Sequence, residues 1–162
     1  MPLRSALMAL LLLPPLFGHG ASEHVTHIGA WTVRARTDRF THGASCEVLR
    51  PHVRYERQAV VLQLPRRVDT SAAVYRIDDG PLISVGVDAM ELARLGFALH
   101  GDDLANPSGG RVIVPARRLV EAQAIRVEAR PHGAVYRFEV GGLASALDAA
   151  AGLGCAAGAF NN

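Results

Sequence analysis

The sequence lacks lysine altogether, so all 17 of its basic residues are arginines. They stand against 15 acidic residues, which leaves a net charge of only +2 and excludes the strongly basic balance typical of nucleic-acid readers. A chain without lysine that is rich in alanine, glycine and arginine is typical of a GC-rich bacterial genome. The arginine content by itself therefore indicates codon bias rather than a function.

Enzyme motifs and long apolar runs are also lacking. The chain has no nucleophile elbow, zinc-peptidase motif, P-loop, dinucleotide fingerprint or haem-attachment motif. Beyond the N-terminal leader, no apolar run approaches the roughly 18 residues that a membrane-spanning helix needs. We therefore predict no cofactor, no metal and no transmembrane segment in the mature chain, and we assign no catalytic residue.

The leader itself has the features of a secretory signal peptide. A positively charged start precedes the continuous apolar run Ala6–Leu13, and small residues precede the expected cleavage between Gly20 and Ala21. The apolar stretch is too short to act as a membrane anchor. We predict a signal peptide over residues 1–20 and a single exported domain over residues 21–162.

Two cysteines, Cys46 and Cys155, are the only ones in the chain. Export would place both in an oxidising compartment, where a disulfide is the expected state. A metal site would need more ligands, and a redox-active pair would need close C-x-x-C spacing. We therefore predict one structural disulfide that joins the last helix to an early strand.

Alternation of apolar and polar residues predicts a mainly β domain, either a β-sandwich or a meander sheet, with two or three short helices. Trp31, Val33 and Ala35 alternate with polar residues, so we expect Trp31 to be buried beneath the last helix. The same pattern predicts further strands at Cys46–Val48, Val53–Tyr55, Val60–Leu64, Ala73–Ile77 and Ile83–Val87. Ile125–Ala129 and Ala134–Val140 form the clearest hairpin.

Two helices have recognisable ends. Asp88 and Glu91 match a capping box at the start of a helix over residues 89–95, and a glycine ends that helix. Apolar residues recur on one helical face of residues 143–153. We expect this terminal helix to pack on the sheet and to carry Cys155 to its partner.

Charge is segregated along the chain. Residues 34–67 hold eight arginines against three acids, whereas residues 69–103 hold seven acids against two arginines. In one domain the two segments are expected to pair at the surface. The alternative is an exposed basic face that binds a partner. Alternation on the early strands would place four arginines on that face: Arg34, Arg36, Arg54 and Arg57.

A polar loop offers the one alternative with chemistry of its own. His100, Asp102, Asp103 and Ser108 lie in one stretch that contains glycine and proline, where they imitate the base, acid and nucleophile of a small periplasmic hydrolase. A triad, however, needs its members on separate rigid elements, and adjacent polar residues in such a loop are typical turn formers. We keep the hydrolase as the alternative to a binding role.

Two further polar pairs match a metal site only in part. His24 and His27 supply two imidazoles, which alone make a weak site. Asp78 and Asp79 precede a Gly-Pro pair, and turn chemistry explains them better than calcium binding does. Neither pair predicts a bound metal.

Motifs near the two ends of the mature chain resemble those of a known family. Trp31–Ala35 leading to Cys46–Val48, together with Phe138–Leu143 before an alanine-rich helix, resembles the invasion associated locus B family of exported bacterial proteins. The resemblance implies a small periplasmic β-rich domain without a catalytic residue. Ala35 stands where that family often has a cysteine, so the family's disulfide pairing is not carried over.

These features together predict an exported, non-enzymatic binding or adaptor domain of the bacterial envelope, either periplasmic or secreted. The resemblance adds an association with host-cell invasion. We expect a monomer whose partner is another protein or an anionic component of the envelope, and not a nucleic acid.

Overall fold

The computed structural model describes residues 22–37, 44–66, 68–98, 110–129, 133–155 and 160. The expected signal peptide and the polar loop from His100 to Ser108 lie outside these residues. Within the described ranges, no helix is long and apolar enough to cross a membrane.

Strands dominate the described residues, which confirms the prediction of a mainly β domain with short helices. The strands are β1 (Ser22–Ile28), β2 (Trp31–Thr37), β3 (Ala44–Arg50), β4 (Val53–Glu56), β5 (Ala59–Gln63), β6 (Val74–Ile77), β7 (Leu82–Ser84), β8 (Arg111–Pro115), β9 (Ala124–Ala129) and β10 (Ala134–Glu139). The helices are α1 (Ala89–Arg94) and α2 (Leu143–Gly152), and short 3-10 turns span Val85–Asp88 and Ala116–Arg118.

The strands form two antiparallel sheets around one core. The large sheet has the order β1-β2-β3-β4-β5-β8, in which the first five strands are a meander. The small sheet has the order β10-β9-β6-β7 and contains the predicted hairpin, β9 and β10. Inward side chains of both sheets and of α2 belong to the same hydrophobic cluster.

Trp31 anchors the contact between the large sheet and α2. Its side chain is fully buried, as the alternation along β2 predicts. Its indole Nε1 donates a hydrogen bond to the carbonyl oxygen of Gly141 at 2.9 Å, just before α2. Gly142, at the start of α2, has φ 81°, and a Cβ there would lie 3.7 Å from the indole ring. The predicted burial of Trp31 beneath the last helix is confirmed.

The end of α2 directs Cys155 back to the sheet. Gly154 has φ 82°. The amide of Gly154 bonds to the carbonyl of Ala151, and that of Cys155 bonds to the carbonyl of Ala150 at 3.1 Å, the pattern of a Schellman motif. Cys155 forms the predicted disulfide with Cys46 on β3, across a sequence separation of 109 residues. Closing a loop of that length stabilises the fold by on the order of 4 kcal/mol.

Helix α1 covers the other face of the large sheet at β5 and β8. Leu92 and Phe97 pack there against Val61 and Ile113 in a second, smaller hydrophobic cluster. Gly96 lets the chain turn back, because the amide of Phe97 reaches the carbonyl of Leu92 at 3.1 Å in a second Schellman motif. Only the part of the outer face formed by β1 to β4 is therefore left without a covering helix among the described residues.

Two local predictions are wrong. Asp88 does precede α1, but its carboxylate makes no capping hydrogen bond to the helix. It is turned toward Arg117 and Arg118, which follow β8. The strand expected over Ile83–Val87 ends at Ser84, because Val85 begins a 3-10 turn that leads into α1.

Candidate functional site

Two of the four predicted arginines lie on the uncovered outer face beside an acid. Along β2, Arg34 and Arg36 point away from the core, opposite in direction to Val33 and Ala35. The Arg34 Nη1 atom lies 3.8 Å from Glu47 Oε2, and the Arg36 Nε atom donates to Glu23 Oε1 at 3.2 Å. Both pairs are substantially exposed, so they contribute little to stability and can exchange partners.

Arg57 is held in place by the fold, although 34% of its side chain is exposed. It lies in the β4–β5 turn, where Arg57 and Gln58 both have positive φ, of 48° and 61°. Two successive positive φ values are the geometry of a tight hairpin turn that usually takes glycine or asparagine. The guanidinium donates to the carbonyl of Gly96 at 2.7 Å and lies 5.7 Å from the Phe97 ring centroid. Arg57 therefore fastens the turn to the end of α1.

Arg54 differs from the other three because no acid in the described part of the chain pairs with it. It is exposed on the outer face of β4 and lines a groove of about 640 Å³, here called the outer groove. Leu49, Val61 and Arg111 also line it. The one acid in this lining, Glu56, lies 3.9 Å from the Arg57 Nε atom.

The register of the strands sets the spacing within the outer groove. Arg54 on β4 is opposite Val61 on β5, and Arg111 on β8 is opposite Gln63 on the same central strand. Because adjacent strands lie about 4.8 Å apart, the backbones that carry the two arginines are roughly 10 Å apart. Val61 and Gln63 on β5 lie between them, and because Val61 is buried, the exposed Gln63 forms most of the surface between the two guanidinium groups.

The acidic segment does not pair with the basic segment in the described residues. Its acids instead meet arginines from later in the chain, with Asp88 and Glu91 on Arg117 and Arg118, and Asp79 on Arg126. The predicted surface pairing between residues 34–67 and 69–103 is therefore wrong for this part of the molecule. The arginines of the early strands are left for local acids or for a partner.

Asp88 is a buried acid, and the residues that bond to it form a group here called the paired cluster. Arg118 donates from Nε and Nη2 to the two carboxylate oxygens of Asp88, each at 2.8 Å. The Tyr75 hydroxyl donates to Asp88 Oδ2 at 3.0 Å. Arg117 lies 3.6 Å from Asp88 and also bonds to Glu91 at 2.8 Å between Nε and Oε1.

The burial and the pKa shifts of the paired cluster indicate a structural role. Burial raises the pKa of the Tyr75 hydroxyl well above its usual range, and the charge of Asp88 raises it further. The hydrogen bond from Arg117 lowers the pKa of Glu91. Tyr75 is 1% exposed and Asp88 is 5% exposed. A substrate therefore has no access to these two groups. The contacts of the cluster connect α1, β6 and the turn after β8.

The remaining candidates are not brought together. His24 and His27 lie on opposite faces of β1, because His24 is opposite Ala35 and His27 is opposite Thr32 across the pair with β2. The Asp78 carboxylate accepts the backbone amide of Ala124 at 2.8 Å. No group of three or more potential metal ligands occurs among the described residues. His100, Asp102, Asp103 and Ser108 lie outside them.

Alternation along the sequence points to Arg54 but not to Arg111. Strand β8 is apolar on both faces because α1 covers its outer side, so period-two alternation does not identify the strand or the arginine that begins it. Comparisons with protein-family models, with curated proteins and with solved structures found no match to the chain. The resemblance to the invasion associated locus B family stays a prediction that rests on its short motifs.

Proposed function

We propose that the protein is an exported, non-enzymatic binding domain of the bacterial envelope that receives an acidic protein partner in the outer groove. The observation that carries this proposal is the position of Arg54 and Arg111, on the strands to either side of β5 and without an acid partner in the described residues. Guanidinium groups bind carboxylates in a planar, bidentate geometry.

The surroundings of the outer groove favour a protein partner over a lipid surface. Glu47, Glu23 and Glu56 lie beside arginines on the same face, so positive and negative charges alternate there. A uniformly anionic membrane would be repelled by those acids, whereas a protein surface can match both signs. Arg34 and Arg36 would form the rim of such an interface, and Arg57 would support it through the β4–β5 turn.

Export is supported by two independent features. The leader over residues 1–20 has the charge, apolar core and small residues of a signal peptide. The disulfide between Cys46 and Cys155 is typical of proteins in oxidising compartments. The resemblance to an exported family agrees with both. Cell fractionation followed by N-terminal sequencing tests this part, with Ala21 expected as the first residue of the mature protein.

A charge-matched pair of variants tests the outer groove. Labelled poly-L-glutamate serves as a defined acidic polypeptide, and binding is measured by fluorescence anisotropy at two salt concentrations. We expect the double substitution Arg54→Gln and Arg111→Gln to weaken binding at least tenfold. The control, Arg76→Gln with Arg94→Gln, removes the same charge from other surfaces and should change binding less than twofold.

Two outcomes would overturn the proposal. Equal losses in both double variants would indicate a general charge effect without a site. Tighter binding to phosphatidylglycerol vesicles than to polyglutamate, again lost with Arg54 and Arg111, would identify a lipid surface as the partner. Capture from an envelope fraction with the same pair of variants would then identify the natural partner.

A further inference from the structure

A second groove, here called the end groove, opens where the end of the large sheet meets the edge strand β10 of the small sheet. It has a volume of about 790 Å³, which lies within the range of small-molecule sites. It shares Arg50, His52 and Gln63 with the outer groove, but it lies on the side of the β3–β4 turn that faces β10.

The floor of the end groove is apolar. Leu64 and Phe138 are almost fully buried at its base, and Tyr136 is half-buried beside them. Pro51 and Pro65 complete this apolar surface. A hydrocarbon chain or ring lying here would remove further apolar surface from water, which is the main source of affinity for such a ligand.

The rim of the end groove is positively charged. Arg50 and Arg66 line it, and neither has an acid partner among the described residues. The Arg50 guanidinium lies 5.5 Å from the centroid of the Trp31 ring, so a cation–π contact helps to hold it in place. The one acid in the lining, Glu139, is engaged by Arg137 at 2.7 Å.

The wall between the charged rim and the apolar floor is rigid. His52 has φ 62°, a left-handed conformation that glycine would adopt at lower cost, and backbone strain of this kind is common at ligand sites. The carbonyl of His52 accepts the Gln63 amide at 2.8 Å, which fixes the turn on β5. The Gln63 side chain donates to the carbonyls of Leu64 and Gly110, each at 3.1 Å.

We propose that the end groove binds an amphipathic organic anion, a hydrocarbon body carrying one phosphate or carboxylate group. The body lies on Pro51, Pro65 and Tyr136, above the buried Leu64 and Phe138. The anionic group lies between Arg50 and Arg66. This site adjoins the protein interface proposed for the outer groove, but it depends on Arg50 and Arg66 rather than on Arg54 and Arg111. Occupancy of one does not require occupancy of the other.

The single tryptophan provides a direct readout of the end groove. Because Arg50 lies over Trp31, an anion that draws the guanidinium toward itself changes the fluorescence of that indole. The probes are decyl phosphate and decanoate below their micelle concentrations. Inorganic phosphate, which has no hydrocarbon chain, and decyl maltoside, which has no charge, are the controls. We expect a saturable change in fluorescence with at least one amphipathic anion, and at least tenfold weaker binding of inorganic phosphate and of decyl maltoside.

Variants locate the site and distinguish it from the outer groove. Their affinities are measured by isothermal titration calorimetry, because substitution of Arg50 alters the fluorescence of Trp31. Arg50→Gln with Arg66→Gln should weaken the amphipathic anion at least tenfold, and Arg66→Gln alone, at an exposed residue, should weaken it measurably without a risk to folding. Arg54→Gln with Arg111→Gln, and the control Arg76→Gln with Arg94→Gln, should leave it within twofold.

Three results would overturn this proposal. Inorganic phosphate binding as tightly as decyl phosphate would indicate an anion site without a hydrocarbon subsite. Decyl maltoside binding as tightly would indicate an apolar patch that does not recognise charge. Unchanged affinity in both the Arg66→Gln and the Arg50→Gln, Arg66→Gln proteins would remove the assignment to this groove. None of these results bears on polyglutamate binding at Arg54 and Arg111.

Discussion

Arginines in two regions of this molecule lie in opposite electrostatic surroundings. In the paired cluster, Arg118 makes two hydrogen bonds to a carboxylate that is 5% exposed. In the outer groove, Arg54 and Arg111 have no acid partner among the described residues. The first arrangement offsets the cost of burying charge and joins elements of the fold. The second leaves two guanidinium groups without a carboxylate among the described residues, as the proposed binding of an acidic partner requires.

The difference does not follow from position along the chain. Asp88 and Arg118 are separated by 30 residues and meet only because α1 packs against β8 and the turn that follows it. Arg54 lies in the segment richest in arginine, yet strand register, rather than local charge, decides that it faces Val61 instead of an acid. The pairing of an arginine in the fold therefore indicates its role better than charge density in the sequence does.

The largest expected effect comes from removing the buried acid of the paired cluster. Asp88→Ala leaves Arg118 and the buried Tyr75 hydroxyl without their common acceptor. We expect the free energy of unfolding to fall by about 3 kcal/mol, because removing one partner of a buried pair leaves the other charge without compensation. Urea denaturation at neutral pH measures this. A loss below about 1 kcal/mol would show that the cluster acts as a surface pair.

The two arginines of the paired cluster should differ from one another. Arg118 has a side chain that is 25% exposed, whereas that of Arg117 is 60% exposed. Arg118→Gln removes two charge-assisted hydrogen bonds from a buried acid, and we expect a loss of about 2 kcal/mol. Arg117→Gln breaks a mostly exposed pair and should cost less than about 1 kcal/mol. Equal losses in the same urea assay would contradict this difference.

Period-two alternation predicts the strands that have one polar face. Trp31, Val33 and Ala35 on β2 are buried as expected. Strand β1 is missed because it is an edge strand exposed along most of its length, so it shows no apolar face to detect. Strand β8 is missed for the opposite reason, because α1 covers its outer side and leaves it apolar on both faces.

The candidate site is predicted less completely than the fold. Alternation correctly places Arg34, Arg36 and Arg54 on the outer face, since side-chain direction on a strand is a local property. It cannot show that Arg57 turns onto the carbonyl of Gly96, which lies 39 residues away. Asp88 has the spacing of a helix cap, but the arginine that binds it comes from a distant turn. Contacts between distant segments require the folded structure.

Alkaline pH should distinguish the Tyr75 hydrogen bond from the rest of the paired cluster. The pKa of Tyr75 in the folded protein is raised above its unfolded value of about 10. The hydrogen bond therefore contributes fully to stability below about pH 10, and this contribution is lost as the pH rises further. Because the chain has no lysine and arginines stay charged, tyrosines dominate titration there.

The matching variant is Tyr75→Phe, which should be less stable than the natural protein by about 1.5 kcal/mol at neutral pH, because it removes a hydrogen bond to a carboxylate. That deficit should shrink at about pH 11. Urea denaturation of both proteins at the two pH values measures it. A deficit that stays constant with pH would mean that Tyr75 ionises as readily in the folded protein as in the unfolded chain.

The smallest expected effect is the one that decides whether the outer groove is a binding surface or part of the architecture. Arg54→Gln with Arg111→Gln removes two cations that make no ion pair within the described residues, so we expect the free energy of unfolding to change by less than about 0.5 kcal/mol. The same double variant is expected to lose polyglutamate binding at least tenfold. A residue pair that affects binding but not folding is what separates a recognition surface from the paired cluster. If the double variant instead loses stability on the scale of Asp88→Ala, the two arginines have structural partners and the comparison between the regions fails.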